Sequence, residues 1–395
     1  MLNFRTIKGT HDILPDERLI WQKVENFIHL IMQSNGYGEI KTPAFENTDL
    51  FIRGIGTETD IVTKEMYSWV DQGGNNLTLR PELTAPVIRS YIQHKMGNNN
   101  PLHRLYYFDA LFRRERPQKG RQRQFYQFGA EAIGWPNPEQ DAEIIAIAYN
   151  IYKEFQIQDI TVRLNSIGST DIRPLYLINL RKSLEKIKYE LCQTCQSRIK
   201  KNALRLFDCK NINCQSLLDE NAPLISDSIS DDDKIHFETI TSILNKMNIP
   251  YIHDKKLVRG LDYYSHTTFE ITSTMLGAQD ALCGGGRYNG LVEQLGGKPT
   301  PAVGFAAGVE RLILALKNNK TTNYKSDIYL VHIGEEVMPT ALYIANELRN
   351  KCNKTVIVET LRRSLKAQMR EAGRKMVKFA LILGEQELQN NKIII

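Results

Sequence analysis

Apolar residues recur at Leu19, Ile20, Val24, Phe27, Ile28 and Ile31, a three-and-four spacing that predicts a helix with one buried face. Thr10-His11-Asp12 and Pro15 stand before it and Asn35-Gly36 after it, the residue types that start and stop helices. Strand texture follows at Leu77–Leu79, Leu105–Phe112 and Phe125–Gly134. The last two runs flank a loop holding Pro117 and Gly120, so they predict a long antiparallel hairpin. Ala142–Phe155 returns to helical spacing. From Ser169 to Tyr251 lysines, asparagines and the acidic run Asp227–Asp233 replace the strand patterns, which predicts a mostly helical insertion. Strand texture resumes over Lys256–Thr272. Gly284-Gly285-Gly286 and Gly296-Gly297 bracket a further stretch, and Val309, Leu312, Ile313 and Leu316 make the stripe of another helix.

A linker rich in Asn, Lys and Thr occupies Lys317–Lys325. Beyond it the pattern alternates: strand Asp327–Ile333, helix Met338–Asn350, strand Thr355–Val358, helix Ser364–Met376, strand Phe379–Leu383. Alternation of this kind implies a mostly parallel sheet and a separate small α/β domain. The run Ile393–Ile395 has no helical pattern after it, so one face of that sheet is expected to be poorly covered. The chain thus reads as α+β. A catalytic-type domain is expected over 1–168 and 252–320, with a helical insertion at 169–251 and the α/β domain at 326–395.

Composition narrows the class of protein. With 395 residues, 42% hydrophobic and 24% charged, each segment can build its own core, which excludes a disordered or disulfide-scaffold protein. Without an apolar run of about 18 residues, no membrane span is expected. The opening MLNFRTIKGTHDILPDE has no basic-then-apolar signal, so the expected location is cytoplasmic. The excess of 51 Lys plus Arg over 45 Asp plus Glu is modest, and its location says more. RRERPQKGRQR at 113–123 sets six cations against Glu115. By charge alone that is a solvated loop or a polyanion contact.

Cys192 and Cys195 form C-x2-C, and Cys209 and Cys214 form C-x4-C thirteen residues later. Two close pairs of thiols could make a tetrahedral zinc site, but free thiols in a small helical insert are the expected reading, and no metal ligand is assigned; the spacing leaves both open. Cys283 and Cys352 read as small core residues.

Three stretches carry chemistry. FDALFRRERPQKGRQRQFYQFGAE, at 108–131, places Arg113 on a rigid hairpin where it can neutralise a phosphoryl group, with loop cations in reach of further polyanion. LVRGLDYYSHTTFE, at 257–270, offers Arg259, a turn glycine and Tyr263/Tyr264, a strand-borne pocket wall. AVGFAAGVERLIL, at 302–314, has small residues that let backbone approach a ligand, then Arg311. Together they resemble the signature motifs of class II aminoacyl-tRNA synthetases. LVRGLDYY at 257–264, RPELTAP at 80–86 and KGTHDILP at 8–15 resemble the histidyl-tRNA synthetase family within that class. The resemblance is collinear over nearly the whole chain. It implies a class II antiparallel sheet flanked by helices, the insertion, and a C-terminal anticodon-binding-like α/β domain.

The resemblance implies a two-step activity: histidine and ATP give histidyl-adenylate and pyrophosphate, and histidine then passes to the 3′ end of histidine tRNA. Arg113 and Arg259 are the catalytic residues it implies, both aimed at charge building on the α-phosphate. Arg113, Glu115, Phe125 and Arg311 form the ATP set, with Mg2+ bridging the phosphates. Arg311 is expected at the γ-phosphate and over adenine, with Phe125 on the other face. The histidine set is Glu82, Leu83, Thr84, Gln127, Glu131, Arg259, Tyr263 and Tyr264. Within it, Glu82 and Thr84 are expected at the α-amino group, and Glu131 and Tyr264 at the imidazole. Leu83 stands where some relatives have Gly. Arg116, Gln118, Lys119, Arg121 and Arg123 are expected to meet the tRNA acceptor end.

For the α/β domain the resemblance implies anticodon contact through Arg349, Lys351, Lys354, Arg362, Arg363, Lys366, Arg370, Arg374 and Lys375, a phosphate-facing field. Family members continue for some tens of residues past the position of Ile395, so a shortened terminus is expected here. A homodimer is implied, with its interface near residues 40–70. The rival reading is the catalytically silent regulatory subunit of ATP phosphoribosyltransferase, which shares the fold but tends to lose the arginines found here.

Overall fold

The computed structural model describes residues 4–118, 120–276, 280–316 and 326–395. Two compact units divide the chain, residues 1–320 and 321–395, and each is taken by itself. Strands of the first unit are β1 (Gly38–Glu39), β2 (Phe45–Asn47), β3 (Tyr67–Val70), β4 (Asn76–Leu79), β5 (His103–Phe112), β6 (Gln124–Ile133) and β7 (Ile160–Ser166). After a helical stretch come β8 (Tyr251–His253), β9 (Ser265–Ser273), β10 (Ala281–Arg287) and β11 (Ala302–Gly308). The described residues form an eight-stranded sheet in the order β1-β5-β6-β11-β10-β9-β7-β8. Its interior pairs are antiparallel, and only the edge pairs β1/β5 and β7/β8 run parallel.

One face of this sheet is closed by helices. The first, Pro15–Ser34, has Pro at its start and Asp16 and Glu17 in its first turn, where acidic charge suits the helix dipole. It buries Trp21, Val24, Ile28 and Met32; of the stripe expected from the spacing, Val24 and Ile28 are buried, while Ile20, Phe27 and Ile31 are partly buried against the core. Each such side chain, fully buried, stabilises the fold by about 1.5–3 kcal/mol. The helices Pro138–Glu154, Asp231–Lys246 and Val309–Leu316 pack on the same face, against Phe128, Phe269, Ile271, Val303 and Phe305. Arg287 ties β10 to helix Pro138–Glu154. It is wholly buried, donates to Asp141 and gives further hydrogen bonds to the Trp135 and Asn137 carbonyls.

The hairpin predicted from the sequence is β5/β6, in register from His103↔Ile133 to Phe112↔Gln124. Residues 173–246 are mostly helical, in short segments. One expectation needs correcting. Residues 257–264 are not strand: β9 starts at Ser265, and Arg259, Tyr263 and Tyr264 lie in the loop before it. The loop holds a fixed shape because Asp262 accepts from Asn202 and its carbonyl from Arg173.

The second unit is a three-stranded parallel sheet of β12 (Ile328–His332), β13 (Val356–Val358) and β14 (Phe379–Leu383), in the order β13-β12-β14. Helix Met338–Cys352 sends Ala341 and Ala345 into the core with Leu330, while Ala372 of helix Leu365–Arg374 packs with Tyr329 and Val331 on the other face. Both faces therefore carry a helix, against the expectation that one would be poorly covered. Ile394 pairs with Ile382, which carries the terminal apolar run onto the β14 edge.

Candidate active site

Alternation along the strands builds the site on the face away from the four helices. On β6, Phe128, Ala130 and Ala132 enter the core, so Gln127 and Glu131 face the other way. Glu270 is turned outward between Phe269 and Ile271 on β9 in the same manner. On β11 the outward positions are Gly304 and Ala306, small enough to leave room. The space so formed is a cavity of about 830 Å³ that joins a smaller one of about 170 Å³ through shared walls.

At one end lies a buried carboxylate. Glu131, 1% exposed, accepts from Thr84 Oγ1 at 2.8 Å, from the Tyr107 hydroxyl at 3.1 Å and from the Tyr288 hydroxyl. Burial pushes its carboxyl up to about 7, although these three donors act to lower it. Gly304 is opposite Glu131 in the sheet register. A Cβ there would fall 1.7 Å from Glu131 Oε2, so this glycine is required by close approach. Gln127 Oε1 is buried without a hydrogen-bond partner, an acceptor facing the cavity. Tyr263 and Tyr264 complete this end, their ring centroids 4.7 Å apart.

The other side is cationic. Arg113 donates through Nε to the Pro81 carbonyl at 2.8 Å, and its guanidinium lies 5.2 Å over the Phe125 ring. Glu115 stands 3.7 Å from Arg113 and 3.0 Å from Arg121. Arg259 pairs with Glu270 at 2.7 Å, while its Nε is buried without a hydrogen bond. Gly284 makes space for it, since a Cβ there would meet Arg259 Nη2 at 2.0 Å. Arg311 donates to the Ala281 carbonyl at 2.5 Å. Three arginines from three distant stretches thus line one cavity.

Of the residues expected from the sequence, Glu82, Leu83, Thr84, Arg113, Glu115, Gln127, Glu131, Arg259, Tyr263, Tyr264 and Arg311 line the large cavity, and Phe125 the small one. Two have partners the sequence did not reveal. Glu82 accepts the backbone N–H groups of Thr84 and Ala85 at 2.7 and 2.9 Å, so it holds the start of helix Thr84–Gln93. Thr84 spends its hydroxyl proton on Glu131. Leu83, 2% exposed, also packs into a hydrophobic cluster with Val87 and Tyr107. In the basic loop Arg121 lines the cavity, while Arg116 and Gln118 are exposed. Arg123 gives its backbone N–H to the Gly9 carbonyl. Lys119 lies outside the described residues.

Sequence reasoning missed Tyr107, Tyr288 and Glu270. Alternation with the core residue Phe108 marks Tyr107 as facing the site. Alternation between Phe269 and Ile271 marks Glu270 in the same way, whereas nothing local marks Tyr288, whose partner Glu131 is 157 residues away. In the second unit several of the basic residues have partners of their own, though Lys351, Arg362 and Arg374 stay exposed. Arg349 donates to the Val356 carbonyl, Arg362 pairs with Glu335, Arg363 with Glu359, Lys351 with Glu347 and Arg374 with Glu371.

An antiparallel-centred sheet backed by helices, with a hairpin arginine and a β-strand–helix arginine facing one pocket, defines a class II aminoacyl-tRNA synthetase. The histidyl-tRNA synthetase family matches over residues 9–312, and an anticodon-binding domain over residues 327–395. A histidine–tRNA ligase of Halothermothrix orenii is 45% identical, aligned over 99% of this chain and 94% of its own length. The apo histidyl-tRNA synthetase structure of Staphylococcus aureus superposes with a TM-score of 0.82 at 38% identity, covering 99% and 94% of the two chains. A Bacillus halodurans structure titled as an ATP phosphoribosyltransferase regulatory subunit/histidyl-tRNA synthetase shares the fold, with a TM-score of 0.70 at 20% identity over 96% and 98% of the chains. The chain belongs to the histidyl-tRNA synthetase family.

Proposed function

We infer that this one cavity carries out both chemical steps of a histidine–tRNA ligase. The chain is an aminoacyl-tRNA synthetase that joins histidine to its tRNA at the expense of ATP. The observation that carries the reading is convergence: Arg113, Arg259 and Arg311 share a cavity with Glu131, Gln127 and Tyr264. Cations on one side suit a triphosphate, and an acceptor-rich end suits an imidazole and an amino group.

ATP would arrive with Mg2+, which would neutralise phosphate charge alongside Arg113 and Arg311. Phe125 and Arg311 flank the small cavity, which suits a flat base with the phosphates running toward Arg113. Arg113 is held by the Pro81 carbonyl and the Phe125 ring, and Arg259 by Glu270. Charge that builds on the α-phosphate as the histidine carboxylate attacks therefore meets cations that need little rearrangement. Gln127 Oε1, buried and unpaired, suits a donor of bound histidine such as the α-amino group. Glu131 and Tyr264 take the imidazole. Because Glu131 already accepts three hydroxyls, its further acceptance from an imidazole N–H rearranges that set, and side chains without such a donor gain nothing from it. We assign Glu82 to positioning of Thr84 rather than to direct contact alone.

The exposed loop residues Arg116 and Gln118, with Arg121 and Arg123, suit the acceptor end of the tRNA, and residues 326–395 the anticodon stem. The catalytic domain spans 1–168 and 252–320, with the insertion at 169–251 between. A homodimer fits the first unit: Phe45, Trp69 and Val70 are exposed apolar residues on the small β2-β4-β3 sheet, surface that a second copy would cover. Among the described residues no helix is long and apolar enough to cross a membrane, in keeping with work in the cytoplasm. The silent regulatory reading is less supported, since the 45% identical relative is a histidine–tRNA ligase and the three arginines converge. Histidine-dependent ATP–pyrophosphate exchange, run beside histidine tRNA charging, tests the proposal. Both reactions are expected, and absence of exchange would return the weight to the silent reading.

A further inference from the structure

We propose that Cys192, Cys195, Cys209 and Cys214 bind one structural zinc ion, which pins residues 198–210 to the rim of the catalytic cavity. The four residues come from three separate short segments. Cys192 caps helix Gln193–Lys201, which contains Cys195; Cys209 ends the turn Ala203–Asp208; Cys214 lies in helix Ile212–Asn221. All are free thiols, and their Sγ atoms lie within 4.8 Å of one another. The Cys192 and Cys209 sulfurs are 3.9 Å apart. A tetrahedral zinc with Zn–S bonds of about 2.3 Å sets its sulfurs about 3.8 Å apart, so the quartet needs only slight contraction.

Two further observations point to a metal. Backbone N–H groups already face the sulfurs, Cys192 N to Cys214 Sγ at 3.2 Å and Asn211 N to Cys209 Sγ at 3.5 Å, the contacts that steady thiolate ligands. The two cysteine-bearing helices also bury few side chains of their own, although they pack with Leu191, Ala203 and Leu206. Helix Gln193–Lys201 buries Cys195 alone, and helix Ile212–Asn221 buries Cys214 and Leu218. In segments this short, a metal adds folding free energy to what packing supplies.

The clamped segment reaches the catalytic unit. Arg205 pairs with Asp60 at 2.6 Å, Asn202 donates to Asp262 at 2.7 Å, and Arg198 donates to the Arg205 carbonyl at 2.8 Å. Arg198, Arg205, Phe207 and Asp208 line the cavity beside Asp60. Asp262 belongs to the loop that carries Arg259, so the ion would steady that loop from outside.

The test counts metal in the unsubstituted chain, purified under reducing conditions without added metal. About one zinc per chain is expected, and the Cys195→Ser and Cys214→Ser chains should each carry almost none. Less than about a quarter equivalent, with no uptake from excess zinc chloride, overturns the site. So do iron in its place or sulfur–sulfur bonds detected by mass. Hydrogen exchange reads the pinning: chelator-stripped protein should exchange faster over 198–210 with β6 unchanged. Equal exchange in stripped and loaded protein would remove the pinning role.

Discussion

The Tyr288 hydroxyl and the Glu131 carboxylate meet in a hydrogen bond across 157 residues of chain. With Thr84 and Tyr107 on its other oxygen, Glu131 is held charged or neutral by a narrow margin. Burial raises its carboxyl to about 7, above the ordinary 4.5. A raised acid binds its proton more tightly folded than unfolded, so its contribution is full below pH 4.5 and declines as pH rises through about 7. Wild type should therefore lose stability over that window by a few kcal/mol relative to Glu131→Gln. Urea unfolding at pH 5 and pH 8 measures it, and parallel changes in both proteins would mean that Glu131 titrates normally.

Gly304→Ala should disturb the same group. The added Cβ meets Glu131 Oε2 at 1.7 Å and the Ala130 carbonyl at 2.6 Å, and the latter cannot swing away. A loss of about 1–3 kcal/mol is expected from overpacking, with KM for histidine raised in the exchange reaction. An unchanged KM in a folded variant would show that Glu131 does not touch the amino acid.

Arg259→His should leave the fold intact and cut exchange about a hundredfold or more, the scale of one lost transition-state contact. The shorter side chain also leaves Glu270 to Arg163, 4.0 Å away, and to Arg311. Exchange at the wild-type rate would reject the role.

Arg116→Ala separates the two reactions. Its side chain is exposed and does not line the cavity, so pyrophosphate exchange should hold while tRNA charging falls. Equal losses in both would place the loop at ATP instead.

Asp141→Ala tests the buried pair beneath the sheet. Arg287 and Asp141 are both fully buried, and removing one partner leaves the other charge stranded, at a cost of about 3–5 kcal/mol. Chemical denaturation reads this directly. A cost below about 1 kcal/mol would mean that the Trp135 and Asn137 carbonyls satisfy Arg287 unaided.

Much of this protein was legible from its residues. Helical spacing placed the Pro15–Ser34 helix and strand texture the β5/β6 hairpin, because local periodicity and turn chemistry are written in neighbouring positions. The three motif stretches named the arginines, and twelve expected residues of the ATP and histidine sets line the two cavities. What periodicity misread was the stretch 257–264, where β-prone residues lie in a loop held by Arg173 and Asn202. Partners such as Tyr288 for Glu131, Glu270 for Arg259 and Gly304 behind Glu131 were decided only in three dimensions. The same holds for the gathering of four cysteine sulfurs. Residue type and spacing determine which chemistry a chain can perform, whereas pairing and pKa depend on distances that arise when strands far apart in sequence become neighbours in a sheet.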